Sequence, residues 1–305
     1  MAEWSPLRAF APTRQTGLLA WADLLFLCIL MAGLAAAWLG SRSLPGYDWQ
    51  WPLLGDFLVS RGPDGSARGG LLMQGLFTTL RVGFWTFLFS LAAGMLLALA
   101  SSARSACLSW PALAMTNLLR NTPPLVILFV VYFFAGNLLP VAPLERFFQE
   151  LPAPMPAMFN AIVAPKGELD RMLAAIIALG FYQSAYVAEI LRGGIESIPK
   201  GQWDAAAALG FGKFDAIRLV VLPQAARSIL PPLTGQCIST FKDSALASLI
   251  SLPDLTFQSL EIMAISRMTF EVWTVTALIY LCIGLVLTCA GYLLEVHYSH
   301  HLNRN

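Results

Sequence analysis

Ionisable and amide side chains embedded in long apolar runs are the groups that could do chemistry in this 305-residue chain. Taking such groups into hydrocarbon is costly, so each calls for a partner or a role. Lys242 and Asp243 stand about two-thirds of the way along the apolar run 228–251, roughly 20 Å from its start at ~1.5 Å per residue. Adjacent residues on one helix do not face each other. Gln236, Ser239 and Asp243 share one stripe, at i, i+3 and i+7. That stripe is expected to face a watery path, with Asp243 receiving an ammonium group. Lys242 is expected to pair with an acid or carbonyl on a neighbouring helix. The competing reading of both is a buried structural ion pair.

A second group surrounds the break Arg120-Asn121-Thr122-Pro123-Pro124. Thr122 is expected to cap a helix that starts at Pro123, leaving free N–H groups and the positive end of a helix dipole. Together with Arg120 this would suit a carboxylate; the competing reading is a proline hinge with a snorkelling arginine. Tyr182, Tyr186 and Glu189 fall on one face of the run 172–191, with Gln183 beside them, and could line the same path. Glu189 also stands three residues before Arg192, the spacing of an ordinary interfacial pair. All of this is recognition chemistry. The sequence has no G-x-x-x-x-G-K-[ST] phosphate loop, no Ser/His/Asp arrangement and no CxxC. Neither a metal site nor a disulfide framework is expected from its five cysteines, and His297, His300 and His301 read as a solvated tail. The chain is expected not to be an enzyme and to lack any means of hydrolysing ATP.

The elements that must position these groups are membrane spans. Hydrophobic residues make up 57% of the chain, charged residues only 12%, and the mean hydropathy is +0.66. That balance excludes disorder and an ordinary soluble domain, and the net charge of +1 gives no field for nucleic acid. Apolar runs at 18–40, 71–100, 113–139, 172–191, 228–251 and 272–294 are each about as long as the ~20 residues a bilayer requires. They predict an all-α integral membrane protein of about six transmembrane helices. The first run is too long for the core of a cleaved signal and reads as a true span. Residues 1–70 therefore form an N-terminal segment with a span and an irregular outer loop, and 71–305 the core. Segment 140–171, with Pro140, Pro143, Pro152, Pro154, Pro156 and Pro165, is expected to lie along the outer surface in short pieces. Lys200, Lys213, Arg218 and Arg227 crowd the loop between the fourth and fifth spans, which places that loop and both termini in the cytoplasm.

That loop reads SIPKGQWDAAAALGFGKFDAIRLVVLP over 197–223. Pro199 suits a first helical turn, the alanines favour helix, and Gly210 or Gly212 can end it in a left-handed conformation. A second short helix is expected from about Phe214 to Leu222, stopped by Pro223. Asp204-Ala205-Ala206, three residues, Gly210, nine residues, and then Val220-Val221-Leu222-Pro223 resemble the EAA loop of the membrane subunits of ABC importers. Asp replaces Glu and Val replaces Ile. Arg120-Asn121-Thr122-Pro123, Ser184-Ala185-Tyr186-Val187-Ala188-Glu189 and Phe241-Lys242-Asp243-Ser244 resemble permeases for polar amino acids. The stretch before residue 70 resembles the longer permeases of general L-amino-acid systems.

The resemblance implies a bundle like that of type I ABC importer permeases, carrying a cytoplasmic coupling helix. It implies a permease in the bacterial cytoplasmic membrane that moves L-amino acids. Asp204, Ala205, Ala206, Gly210, Leu222 and Pro223 would take force from a separate ATPase subunit, which binds the ATP and Mg. Further partners would be a second permease subunit, identical or homologous, an extracytoplasmic amino-acid-binding protein, and membrane lipid. An ion-coupled secondary amino-acid carrier would also place acids mid-membrane, and would transport without ATP.

Overall fold

The structure, a computed structural model, describes residues 47, 49–61, 66–103, 105–135 and 141–302. The expected first span, 18–40, lies outside the described residues. Of the first 49 residues only Tyr47 and Trp49 are described, their rings edge to face at 5.0 Å.

From residue 50 the chain enters a short 3-10 turn and α1 (Leu54–Leu58), then a hairpin of β1 (Val59–Arg61) and β2 (Ala67–Gly69), paired antiparallel with Ser60 opposite Arg68. The rest described is helical. In order come α2 (Leu71–Ser101), α3 (Ala106–Asn121) and α4 (Pro124–Val130), which runs on as a π-turn to Ala135. Next are α5 (Val141–Gln149), α6 (Met155–Ile162) and α7 (Leu169–Glu196). An elbow of α8 (Lys200–Ala208) and α9 (Lys213–Asp215) leads through a π-helical stretch, Ala216–Val221, into α10 (Leu222–Asp243). A 3-10 helix, Ser244–Ile250, then precedes α11 (Leu255–Ser266) and α12 (Thr269–Leu302).

Helix α2 shows why these residues make this bundle. Gly75, Thr79, Gly83, Thr86, Ser90, Gly94 and Ala98 recur every three or four residues and are all buried. Phe77, Phe84, Leu88, Met95, Leu96 and Leu99 are exposed. Small residues inward and large apolar ones outward is the pattern of a helix solvated by lipid, where close backbone approach supplies the packing. A Cβ on Gly94 would lie 2.7 Å from Val187 Cβ and 2.8 Å from the Ser184 carbonyl of α7. One on Gly83 would meet the Phe241 ring of α10 at 2.5 Å, and one on Gly75 the Asp254 carbonyl at 2.8 Å. In the reverse sense, Gly180 of α7 receives Phe89 of α2. Thus α2 is the spine against which α7, α10 and α11 pack. A polar contact adds to the last: Leu255 N donates to Thr79 Oγ1 at 2.9 Å.

Among the described residues three helices, Leu71–Ser101, Leu169–Glu196 and Thr269–His297, are long and apolar enough to cross a membrane. A fourth crossing is possible for the pair Ala106–Asn121 and Pro124–Phe134, bent by 109° at the predicted Arg120–Pro124 break. The fifth expected span takes a different form. Helix α10 starts earlier, at Leu222, carries Pro231 and Pro232 inside it, and gives way at Ser244 to a 3-10 helix that stops at left-handed Ser251 (φ 60°). Its polar and proline content keeps it from being a simple apolar span.

Substituting Gly94→Ala forces a methyl between α2 and α7 and is expected to cost about 1–3 kcal/mol. Gly193→Ala meets no atom within 4 Å and should be tolerated. Thermal unfolding midpoints of the two purified variants in one detergent should separate in that order.

Candidate functional site: the elbow and the groove above it

Pro199, with φ −55° and ψ 141°, starts the elbow just before α8. Ala206 is its only buried residue, while Asp204 and Ala205 face outward. The helix ends as the sequence predicts at Gly210, with φ +82°. Phe211 N donates to Ala206 O at 3.1 Å and Gly210 N to Ala207 O at 3.0 Å, the paired bonds that close a helix through a left-handed residue. The turn so fixed presents Leu209 (75% exposed) and Phe214 (72% exposed) outward, a large apolar tip on a protruding bend. One expectation is corrected. Pro223 does not stop the second helix: the π-helical stretch flows into α10, and Pro223 lies in the first turn of α10, where a missing N–H costs nothing.

The elbow is tied to the helices that flank it. Gln224 Nε2 donates to Gln202 Oε1 at 3.2 Å, and the hydroxyls of Ser197 and Ser228 lie 3.1 Å apart. Higher up the same seam Gly194 of α7 admits Ile229 of α10 against its backbone. There α3, α7 and α10 diverge around an open groove of about 640 Å³. Arg120, Tyr186, Glu189, Gln236 and Ser239 line it, together with backbone opened by Gly193, Gly194 and Gly235.

Two polar clusters meet at this groove. In one, Gln183 of α7, fully buried, donates through Nε2 to Asp243 Oδ2 at 2.8 Å and accepts from Gln236 Nε2. Asp243 is half-buried, and its Oδ1 takes no hydrogen bond among the described residues. In the other, Glu189 binds Arg192 at 2.7 Å and lies 3.8 Å from Arg120. Arg192 also grips Glu196 at 2.9 Å. The Arg120 guanidinium rests 5.6 Å from the centroid of the Tyr186 ring. Because Glu189 is held more closely by Arg192, Arg120 keeps much of its charge free at the groove wall. Tyr186 and Tyr182 touch through their hydroxyls at 3.2 Å.

The structure thus brings together Gln183, Gln236 and Asp243, and places Arg120, Tyr186, Glu189 and Ser239 on one groove. Two predicted residues stand apart. The Thr122 hydroxyl donates back to Leu118 O at 2.7 Å and closes the end of α3. It does not cap α4, whose first turn is led by Pro123 without a side-chain cap. Lys242 is exposed and makes no ion pair among the described residues, so it is not part of a buried pair there. The glycines that open the groove, Gly194 and Gly235, carry no charge and gave no signal in the sequence beyond the pair Gly193-Gly194.

Residues 90–299 match the family model described as "Binding-protein-dependent transport system inner membrane component". The probable amino-acid ABC transporter permease protein YckA of Bacillus subtilis (strain 168) is 31% identical over 232 residues, covering 76% of this chain and 90% of that protein. The glutamine transport system permease protein GlnP of Escherichia coli (strain K12) is 32% identical over 222 residues, covering 72% and 88%. A solved amino acid ABC transporter with histidines superposes with a TM-score of 0.59 at 30% identity, covering 74% of this chain and 94% of that one. These matches support no ion-coupled carrier. In this family the ATPase is a separate subunit, and the helical bundle is that of type I ABC importer permeases. The chain belongs to the binding-protein-dependent transport system inner membrane components and is a non-catalytic permease subunit of an ABC importer.

Proposed function

We propose that this permease carries amino acids and receives them in the groove between α3, α7 and α10. The observation that carries the reading is Arg120 on the groove wall together with the hydrogen-bonded chain that runs from Gln236, on the same wall, through Gln183 to Asp243 behind it. Arg120, lightly held, offers a site for an α-carboxylate, and Asp243, with Oδ1 unclaimed, offers one for an ammonium group. Gln183, Gln236, Ser239, Tyr186 and Glu189 would supply the polar wall between them. A zwitterion seated there replaces its lost hydration with charge-assisted hydrogen bonds.

Force would enter at the elbow. Asp204, Ala205, Ala206 and Gly210, with Leu222 and Pro223 at the root of α10, would sit in a cleft of a separate ATPase subunit that binds ATP and Mg. That assignment puts the elbow and both termini in the cytoplasm. A binding protein would deliver substrate to the opposite face. Exposed Lys242, which makes no close ion pair in the described part of its own chain, fits an acid or carbonyl supplied by a second permease subunit, identical or homologous. Residues 1–70 would act as an added segment before the core of 71–305. Closure of the ATPases would move the elbows and shift the spans between two packings, a population shift driven by ATP.

The test is uptake by the complex reconstituted with its ATPase and binding protein. Asp243→Asn removes a charged hydrogen bond worth about 1.5–3 kcal/mol, so affinity for the amino acid in the groove should fall about 10- to 100-fold while the subunits still co-purify. Normal transport by Asp243→Ala would remove this residue from the site. Thr122→Val, whose hydroxyl is already spent on Leu118 O, should leave affinity unchanged.

At the elbow, Gly210→Val places a β-branched residue at φ +82°, at a cost of about 1–2 kcal/mol or more. The expected outcome is a folded permease that retains less ATPase on purification and loses ATP-driven uptake. ATP turnover that stays coupled to uptake after removal of residues 204–210 would overturn the docking assignment.

A further inference from the structure

Helices α5 and α6 stack on one another, and their amide side chains Gln149 and Asn160 meet inside the pair. Phe148 stacks on Phe159, with ring centroids 4.2 Å apart and 11° between planes. Beside them Gln149 Nε2 donates to Asn160 Oδ1 at 2.9 Å. Gly167 N donates to Glu145 Oε1 at 2.6 Å and ties the base of the pair. The outer face is the reverse: Leu144, Phe147, Met155, Met158 and Ile162 are each between 41% and 60% exposed. The exposed charges, Arg146 and Glu150, lie in the last turn of α5 and in the turn just after it. A helix pair along an aqueous surface would show the opposite pattern, with polar groups outward.

The backbone tells the same story. The last carbonyls of a helix have no partner within it, and in water they are solvated. At the end of α6 they are met by side chains from α2 instead. Arg81 Nε donates to Ala161 O at 2.6 Å and Trp85 Nε1 to Ile162 O at 2.9 Å. Trp85 stands near the middle of α2, about 21 Å along it at 1.5 Å per residue, so α6 ends at a depth well inside an apolar span. At the other end the prolines remove donors. Pro143 sits in the first turn of α5, Pro154 precedes α6 and Pro156 is its second residue, each without an N–H that would need a partner. Satisfying every backbone group from within the protein is the requirement that hydrocarbon imposes and water does not.

We infer that α5 and α6 form a re-entrant hairpin inserted in the bilayer beside α2, with lipid acyl chains covering Leu144, Phe147, Met155, Met158 and Ile162. The hairpin replaces the expected surface lie of 140–171. It also gives Arg81 a task, since its guanidinium would substitute for water at the end of α6.

The test uses the full transporter complex in phospholipid nanodiscs. The photoreactive residue p-benzoylphenylalanine is placed at Phe147 and, separately, at Met158, and the unmodified protein is exposed to hydroxyl radicals. Irradiation should yield permease carrying the added mass of one phospholipid. Met155 and Met158 should oxidise about tenfold or more slowly than in the unfolded chain, with the binding protein present or absent. Photoadducts to a second permease chain or to the binding protein would overturn the inference. So would oxidation of either methionine close to the unfolded rate. Neither result depends on what the groove binds.

Discussion

Polar groups that enter the hydrocarbon find no water there, and much of this architecture follows from how the protein meets them itself. Serine and threonine hydroxyls turn back onto their own helices: Thr116 to Ala112 O, Ser184 to Phe181 O, Thr240 to Gln236 O, Ser244 to Phe241 O and Thr276 to Val272 O. These side chains are therefore compatible with apolar surroundings while staying small enough for helices to touch. Where a helix starts inside the bundle, a side chain meets its free donors. Asp254 caps α11, accepting from Phe257 N at 2.8 Å. Where a backbone must leave helical geometry, as at Ser251, a neighbour reaches it: Arg171 Nη1 donates to Ser251 O at 2.7 Å.

The same constraint makes the elbow and the groove parts of one device. With no hydrophobic driving force between helices in lipid, α2, α7 and α10 adhere through close backbone contact at glycine and through a few hydrogen bonds. Those bonds run in series along α10. Gln224 touches the elbow, Ser228 touches the end of α7, Ile229 packs on Gly194, and Gln236 joins Gln183 and so Asp243. Helix α10 is thus continuous from the root of the elbow to the polar chain beside the groove. Such contacts are few and discrete, so two packings of the helices can differ by exchanging a small number of them rather than by deforming a core.

Much of this was legible in the residues. The order and length of apolar runs foretold α2, α7 and α12, because a bilayer fixes how many apolar residues a crossing needs. The alanine-rich bend from 197 to 223 declared itself through local rules: a proline at its start, helix formers within, and a glycine whose positive φ only the absence of a side chain makes easy. The stripe of Gln236, Ser239 and Asp243 was visible because helical periodicity puts those positions on one face whatever the neighbours are.

What the sequence left undecided were matters of which neighbour arrives. Thr122 has two ways to use one hydroxyl, forward to α4 or back to α3, and the 109° bend chose the second. Pro223 reads as a stop in isolation, yet the preceding π-helical stretch makes it a start. Lys242 and Asp243 each call for a partner the sequence does not name: Gln183 arrives from another helix to bind Asp243, while Lys242 is left facing outward. The prolines of 140–171 read as short pieces along the outer surface, and nothing in them shows that Arg81 and Trp85, some eighty residues away, hold the end of α6. Length, periodicity and local backbone preference are properties of a residue and its chain neighbours, so the sequence alone determined them. The partner of a polar group in a medium without water is whatever the fold brings within three ångströms, and only tertiary structure decided that.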